Sequence, residues 1–172
     1  MKFGIFLTAF LFITMSSCKS SKATDFKESL DRSERSAFNI ILGKEGWGEK
    51  KLKYLEKEDY KNAIMAVDKQ SKEFDRLIAD IEKLSIDGIS KGEALKIASI
   101  EYYQALKELH GFDRKEIEQQ ALLQTLKNNE LKIAQDKLLA LAKQKKMLYN
   151  AVYEKEALLH TANEAFEAAN GF

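Results

Sequence analysis

The chain has 172 residues, with 28 Lys+Arg against 27 Asp+Glu and 32% of all residues charged. Such a balance leaves no global field for nucleic acid, a 45% hydrophobic content excludes intrinsic disorder, and a single cysteine builds neither an internal disulfide nor a cysteine zinc site. Proline is absent, against a norm of about 5%. That absence favours long helices, because proline removes a backbone donor and clashes with the preceding turn.

The N-terminus stands apart. Lys2 is the only charge before position 19, and Phe3 to Met15 (FGIFLTAFLFITM) is almost wholly apolar. As a helix this stretch spans about 20 Å, short of a bilayer core of about 30 Å. A positive start, a short apolar run and the small residues Ser16 and Ser17 describe a secretory signal peptide over residues 1–17.

Cys18 follows directly, and Met15-Ser16-Ser17-Cys18 resembles the lipobox of bacterial lipoproteins. The resemblance implies a diacylglycerol thioether on Cys18, cleavage between Ser17 and Cys18, and acylation of the new amino group. Residues 18–23 then form a lipidated cysteine and a polar tether, followed by a domain over residues 24–172. By the sorting rules of such lipoproteins, Lys19 after the cysteine implies the outer membrane. The absence of an acidic run there implies the periplasmic face.

Four helical segments are expected in the remainder, punctuated by glycine. The first covers about residues 24–42, with Thr24 as its cap and Phe26, Leu30, Ala37 and Ile41 near one face. The second covers about residues 49–84. Tyr60, Ile64, Val67, Ser71, Phe74, Ile78 and Ile81 follow one another at alternating spacings of 4 and 3, a heptad seam with one polar intrusion. The third covers about residues 91–110. Ser90 to Glu93 matches a capping box, Leu95, Ala98, Tyr102, Leu106 and Leu109 share a face, and Gly111 marks the end.

The fourth starts at Asp113 and meets no Gly or Pro before Gly171. Its seam includes Ile117, Ala121, Leu138, Leu141, Leu148, Val152, Leu159, Ala162 and Phe166. Unbroken it would be about 85 Å long, against about 50 Å for the second. It must therefore project or bend, and Asn128-Asn129 is the expected break. The architecture is all-α: an elongated antiparallel helical bundle with coiled-coil character.

Candidate sites are few. Neither His110 nor His160 has a glutamate three residues earlier, as ferritin-like metal bundles require. Glu156 and His160 lie four apart on one face and are weak candidates for a surface metal, the plainer reading being an exposed intrahelical pair. No Gly-x-Ser-x-Gly elbow and no histidine–serine arrangement occurs. Gly43-Lys44-Glu45-Gly46-Trp47-Gly48 lacks the Gly-Lys-Ser/Thr ending of a phosphate loop. Trp47 is a candidate partner contact or a plug on the end of the bundle. Tyr149 and Tyr153, one turn apart, could line a groove, although core packing is the expected role.

Lys127 to Lys146 carries six lysines against Glu130 and Asp136, a net of +4, and reads as a solvated face. Lys145 and Lys155 interrupt the last seam and leave a homo-oligomer open. With no catalytic constellation and no cofactor motif, the expected function is non-enzymatic: a membrane-anchored periplasmic lipoprotein that binds another envelope protein. The alternatives are a small-ligand or metal-binding bundle and a periplasmic inhibitor or immunity protein.

Overall fold

The structure, a computed structural model, describes residues 21–172, the side chains of Asn128 and Asn129 excepted. The expected signal peptide and Cys18 lie outside the described residues. Among the described residues there is no strand. The fold consists of α1 (Ser21–Leu42), α2 (Trp47–Glu56), α3 (Tyr60–Glu82), α4 (Gly92–Leu123) and α5 (Asn128–Asn170). Four are long and α2 has ten residues.

The helices form an all-α antiparallel bundle. α1 and α2 follow one another along α3, α1 on its C-terminal half and α2 on its N-terminal half. Ile40 accepts a hydrogen bond from Gln70, and Tyr54 and Leu55 pack near Ala63 and Val67. α3 runs against α4, with Asp68 paired to Arg114 and Asp75 to Lys107. α4 and α5 form a long hairpin held at three levels, by Gln119 to the Ala134 carbonyl, Glu116 to Lys145 and Glu101 to Lys155. The main core takes Ile40 from α1, Phe74 and Ile81 from α3, Tyr103 and Leu106 from α4, and Val152 from α5.

The apolar spacing explains these helices. Val67, Phe74, Ile78 and Ile81 of the α3 seam are buried, and the buried stripe widens to Ala63, Ala66 and Leu77. The polar intrusion into it is Gln70, 1% exposed, rather than half-buried Ser71. Every position of the last seam is buried or half-buried.

The boundaries differ from expectation in five places. The second segment divides at residues 57–59, where Glu58 takes a left-handed φ of 56° and the Asp59 carboxylate accepts from the Asn62 N–H at 3.1 Å to cap α3. Gly111 does not end a helix. α4 continues to Leu123, because burial of Leu109, Phe112 and Ile117 around it outweighs the roughly 1 kcal/mol that an interior glycine costs. Asp113 is therefore inside α4 rather than a cap. The Ser90 capping box does not form; Lys91, at φ 58°, is the N-cap and no side chain caps α4. The break expected at Asn128-Asn129 lies just before it, at residues 124–127.

The helical domain also starts earlier than the expected residue 24. Residues 21–23 are helical, and Ala23, 0% exposed, packs with Phe26, Leu95 and Phe166. Thr24 thus lies within α1 rather than at its start.

The glycine-rich stretch makes the elbow between α1 and α2. A Cβ on Gly48 would stand 2.1 Å from the Ile41 carbonyl oxygen, and one on Gly46 2.3 Å from that of Asn39. The motif is a device for close backbone approach. Gly111, by contrast, has open space beside it. Gly48→Ala should therefore destabilise the protein by about 1–3 kcal/mol, and Gly111→Ala should stabilise it by about 0.5–1 kcal/mol. Chemical denaturation of the two variants checks both signs.

Candidate functional site

Two polar sites and one apolar face stand out. The first is a buried ion cluster. Asp113 on α4 receives the Lys51 ammonium from α2 and, at 2.6 Å, the Lys145 ammonium from α5. Lys145 also reaches Glu116 at 2.6 Å. Lys51 is 7% exposed and Asp113 8%. The four charges cancel, which is how a bundle can bury them at all.

Burial works against the charged form of Asp113, but Lys51 and Lys145 outweigh it and hold its pKa below the usual carboxylate range. His110, one turn earlier, stacks on Phe74 with ring centroids 6.1 Å apart. Burial, then Lys51 and Lys145 against the opposing pull of Asp113, lowers its pKa from 6.5 to about 4. His110 is thus a neutral packing group at pH 7. Lys145 and Lys155, read as seam interruptions, both find acids on α4 of the same chain.

The second site is a groove of about 440 Å³ between α1 and α5, floored by α4. Leu95, Leu106, Ala37 and Leu159 line it, with Tyr102 and Tyr103 in its floor. The two rings are tilted by 56° with centroids 5.2 Å apart. Asp31, Glu34, Glu156 and His160 stand along its walls. α1 and α5 meet at one end of it, where Phe26 packs on Phe166 and Lys27 pairs with Glu167 at 2.9 Å.

The third feature is the outer side of α5. Over 43 residues this helix buries Ala134, Leu141, Val152 and Phe166, and it leaves Ile133, Met147 and Leu158 73%, 63% and 53% exposed. At 100° per residue these three fall within about 40° of one another. Ala140, Ala151 and Ala165 lie on the same stripe, so the series 133, 140, 147, 151, 158, 165 repeats at 7, 7, 4, 7 and 7. This is a second heptad seam beside the one that packs on α4.

The residues singled out from sequence are scattered among these features. Trp47 opens α2 half-buried; its indole N–H donates to Glu73 on α3 at 3.0 Å, and the Lys50 ammonium lies 4.6 Å from its ring. It folds back on the bundle. Tyr149 and Tyr153 are 46% and 64% exposed, not core residues. Leu148 and Val152 take the inward positions, and each tyrosine sits one residue, or 100°, further round. Tyr149 borders a small pocket beside the ion cluster.

Glu156 and His160 both reach the groove, but His160 pairs with Glu164 at 3.3 Å, one turn on from the expected partner. Among the described residues no three His, Cys, Asp or Glu side chains converge as metal ligands. Sequence reasoning missed the ion cluster and the groove. The one available signal was Asp113 with Glu116 on one apolar helix and Lys145 breaking the seam of the next.

Comparison with known protein families, with curated proteins and with solved structures finds no match for this chain.

Asp113→Ala should destabilise the fold by about 3–5 kcal/mol, since it strands buried Lys51, and adding Lys51→Met should restore most of that. Acid should act in two steps. Because folded His110 titrates below its unfolded value, the unfolded chain binds more protons between pH 6.5 and about 4. Stability present above pH 6.5 is therefore lost towards pH 4, by on the order of 3 kcal/mol. Asp113, lowered from 3.8, adds a further loss at more acid pH. His110→Phe should flatten the first step in a series of melting temperatures against pH and leave the second.

Proposed function

We propose that this chain is a bacterial lipoprotein, anchored in the outer membrane through acylated Cys18 and facing the periplasm, whose helical bundle is a non-enzymatic binding component of the cell envelope. The observation that carries the anchor is the position of the only cysteine, directly after Met15-Ser16-Ser17 and an apolar run. Among the described residues no helix is long and apolar enough to cross a membrane, so attachment falls to the N-terminal segment. A bundle that is already packed at Ala23 suits a protein held close to the bilayer surface, and two or three acyl chains make such an anchor stable.

The binding role rests on the outer seam of α5. Ile133, Met147 and Leu158 at heptad-compatible spacing form the stripe that a partner helix packs against, and the bundle has no use for it in its own core. The partner is therefore read as a helical envelope protein. A second copy of this chain is the outcome to be separated from it.

Cys18→Ala should move the protein from the membrane fraction to the soluble one; retention in membranes would sink the anchor reading. Photo-crosslinkers placed at Met147 and at Leu158 should give one common adduct, absent from a crosslinker at exposed Lys72 on α3. Met147→Glu with Leu158→Glu should abolish the adduct at unchanged melting temperature. An adduct of twice the chain mass would mark self-association.

A further inference from the structure

We propose that the groove between α1 and α5 binds a small amphiphilic organic cation, with its charged head beside Tyr102 between Glu34 and Glu156, and its apolar body running towards Leu106 and Ile41. The inference is independent of the anchor and of the outer seam of α5.

Size suits a small ligand. Leu95 to Leu106 is about 16 Å of helix. A groove of about 440 Å³ along that length is of the size that takes one small organic molecule. The two ends differ. One is closed by the Lys27–Glu167 pair. The other opens between Phe38 and Leu42, 59% and 65% exposed on the last turns of α1, so the uncovered apolar surface lies at the tail end.

Charge selects the head. Asp31, Glu34 and Glu156 face the groove. The cation beside them, Lys27, is held at 2.9 Å by Glu167 and stands 3.9 Å from Asp31, and His160 is engaged by Glu164. Tyr103 is only 4% exposed, yet among the described residues no hydrogen bond engages the hydroxyl of Tyr103 or of Tyr102. Burial first, and then Glu34 with Glu156 or Asp31, raises both phenols above their ordinary range. The phenols stay neutral, and half-buried Tyr102 borders the groove beside these carboxylates, the setting in which an aromatic side chain attracts an ammonium group.

The test is calorimetry on the purified protein with octyltrimethylammonium below its micelle-forming concentration. One-to-one binding is expected. Octyl glucoside, which has the chain without the charge, and tetramethylammonium, which has the charge without the chain, should each bind about tenfold or more weakly. Glu34 and Glu156 are exposed, so Glu34→Gln with Glu156→Gln should weaken binding by about tenfold or more at unchanged melting temperature. Equal affinity for octyl glucoside, undiminished binding by the double variant, or binding only to choline-headed vesicles and not to the free probe would each overturn the proposal. So would no heat with the unaltered protein.

Discussion

The bundle turns on the carboxylate of Asp113. It is the point where α2, α4 and α5 are joined by something other than apolar contact, and it sits where apolar contact specifies least. A heptad seam packs almost as well when one helix slides by seven residues. On α5, with few large buried side chains, such a slide would cost little packing. Lys145 opposite Asp113 and Glu116, and Lys155 opposite Glu101, satisfy their charges in one alignment only. A slide of one heptad would bring Lys145 level with Leu106 and Leu109 or with Gln120 and Leu123, leaving buried charge unpaired, which is among the costliest faults a core can hold. The cluster contributes register more than net stability.

Much of the fold is visible in the sequence because helix periodicity is local. The seams of α1, α3 and α5 are read directly from apolar spacing, and so is the glycine elbow. The errors arise where tertiary packing overrides a local preference. Gly111 has the intrinsic tendency to end a helix, but neighbours on both sides are buried against α2, α3 and α5. The Lys57-Glu58-Asp59 break carries no glycine or proline; its only signature is Asp59 capping Asn62. Lys145 looks like a flaw in a seam until Asp113 is placed opposite it. The groove between α1 and α5 cannot be read from one dimension at all, since its walls and floor come from residues fifty or more positions apart.

α5 presents three different surfaces around one cylinder. The inward stripe through Leu141, Val152 and Phe166 holds the hairpin. One flank, through Glu156 and His160, becomes a wall of the groove. The other carries the uncovered stripe through Met147 and Leu158. A helix with so weak a division between an apolar and a polar half would be a poor candidate for stability on its own. It is stable here because α4 supports it along nearly its whole length, and that support frees the remaining two surfaces for contacts the fold does not need.

The up-and-down course of the chain also gives the molecule a top and a bottom. Lys22 reaches the Asp87 carbonyl, and Asn170 reaches that of Ser90, so the start of α1, the α3–α4 connection and the chain end share one pole. Tyr60 and Gln124 meet at the opposite pole. α5 alone measures about 64 Å between them. The proposed anchor ahead of Ser21 would make the protein a post planted by its foot: a label on Phe172 would ride at the lipid surface, and one in the turn at residues 124–127 would stand roughly 60 Å above it, with the basic end of α5 furthest from the bilayer.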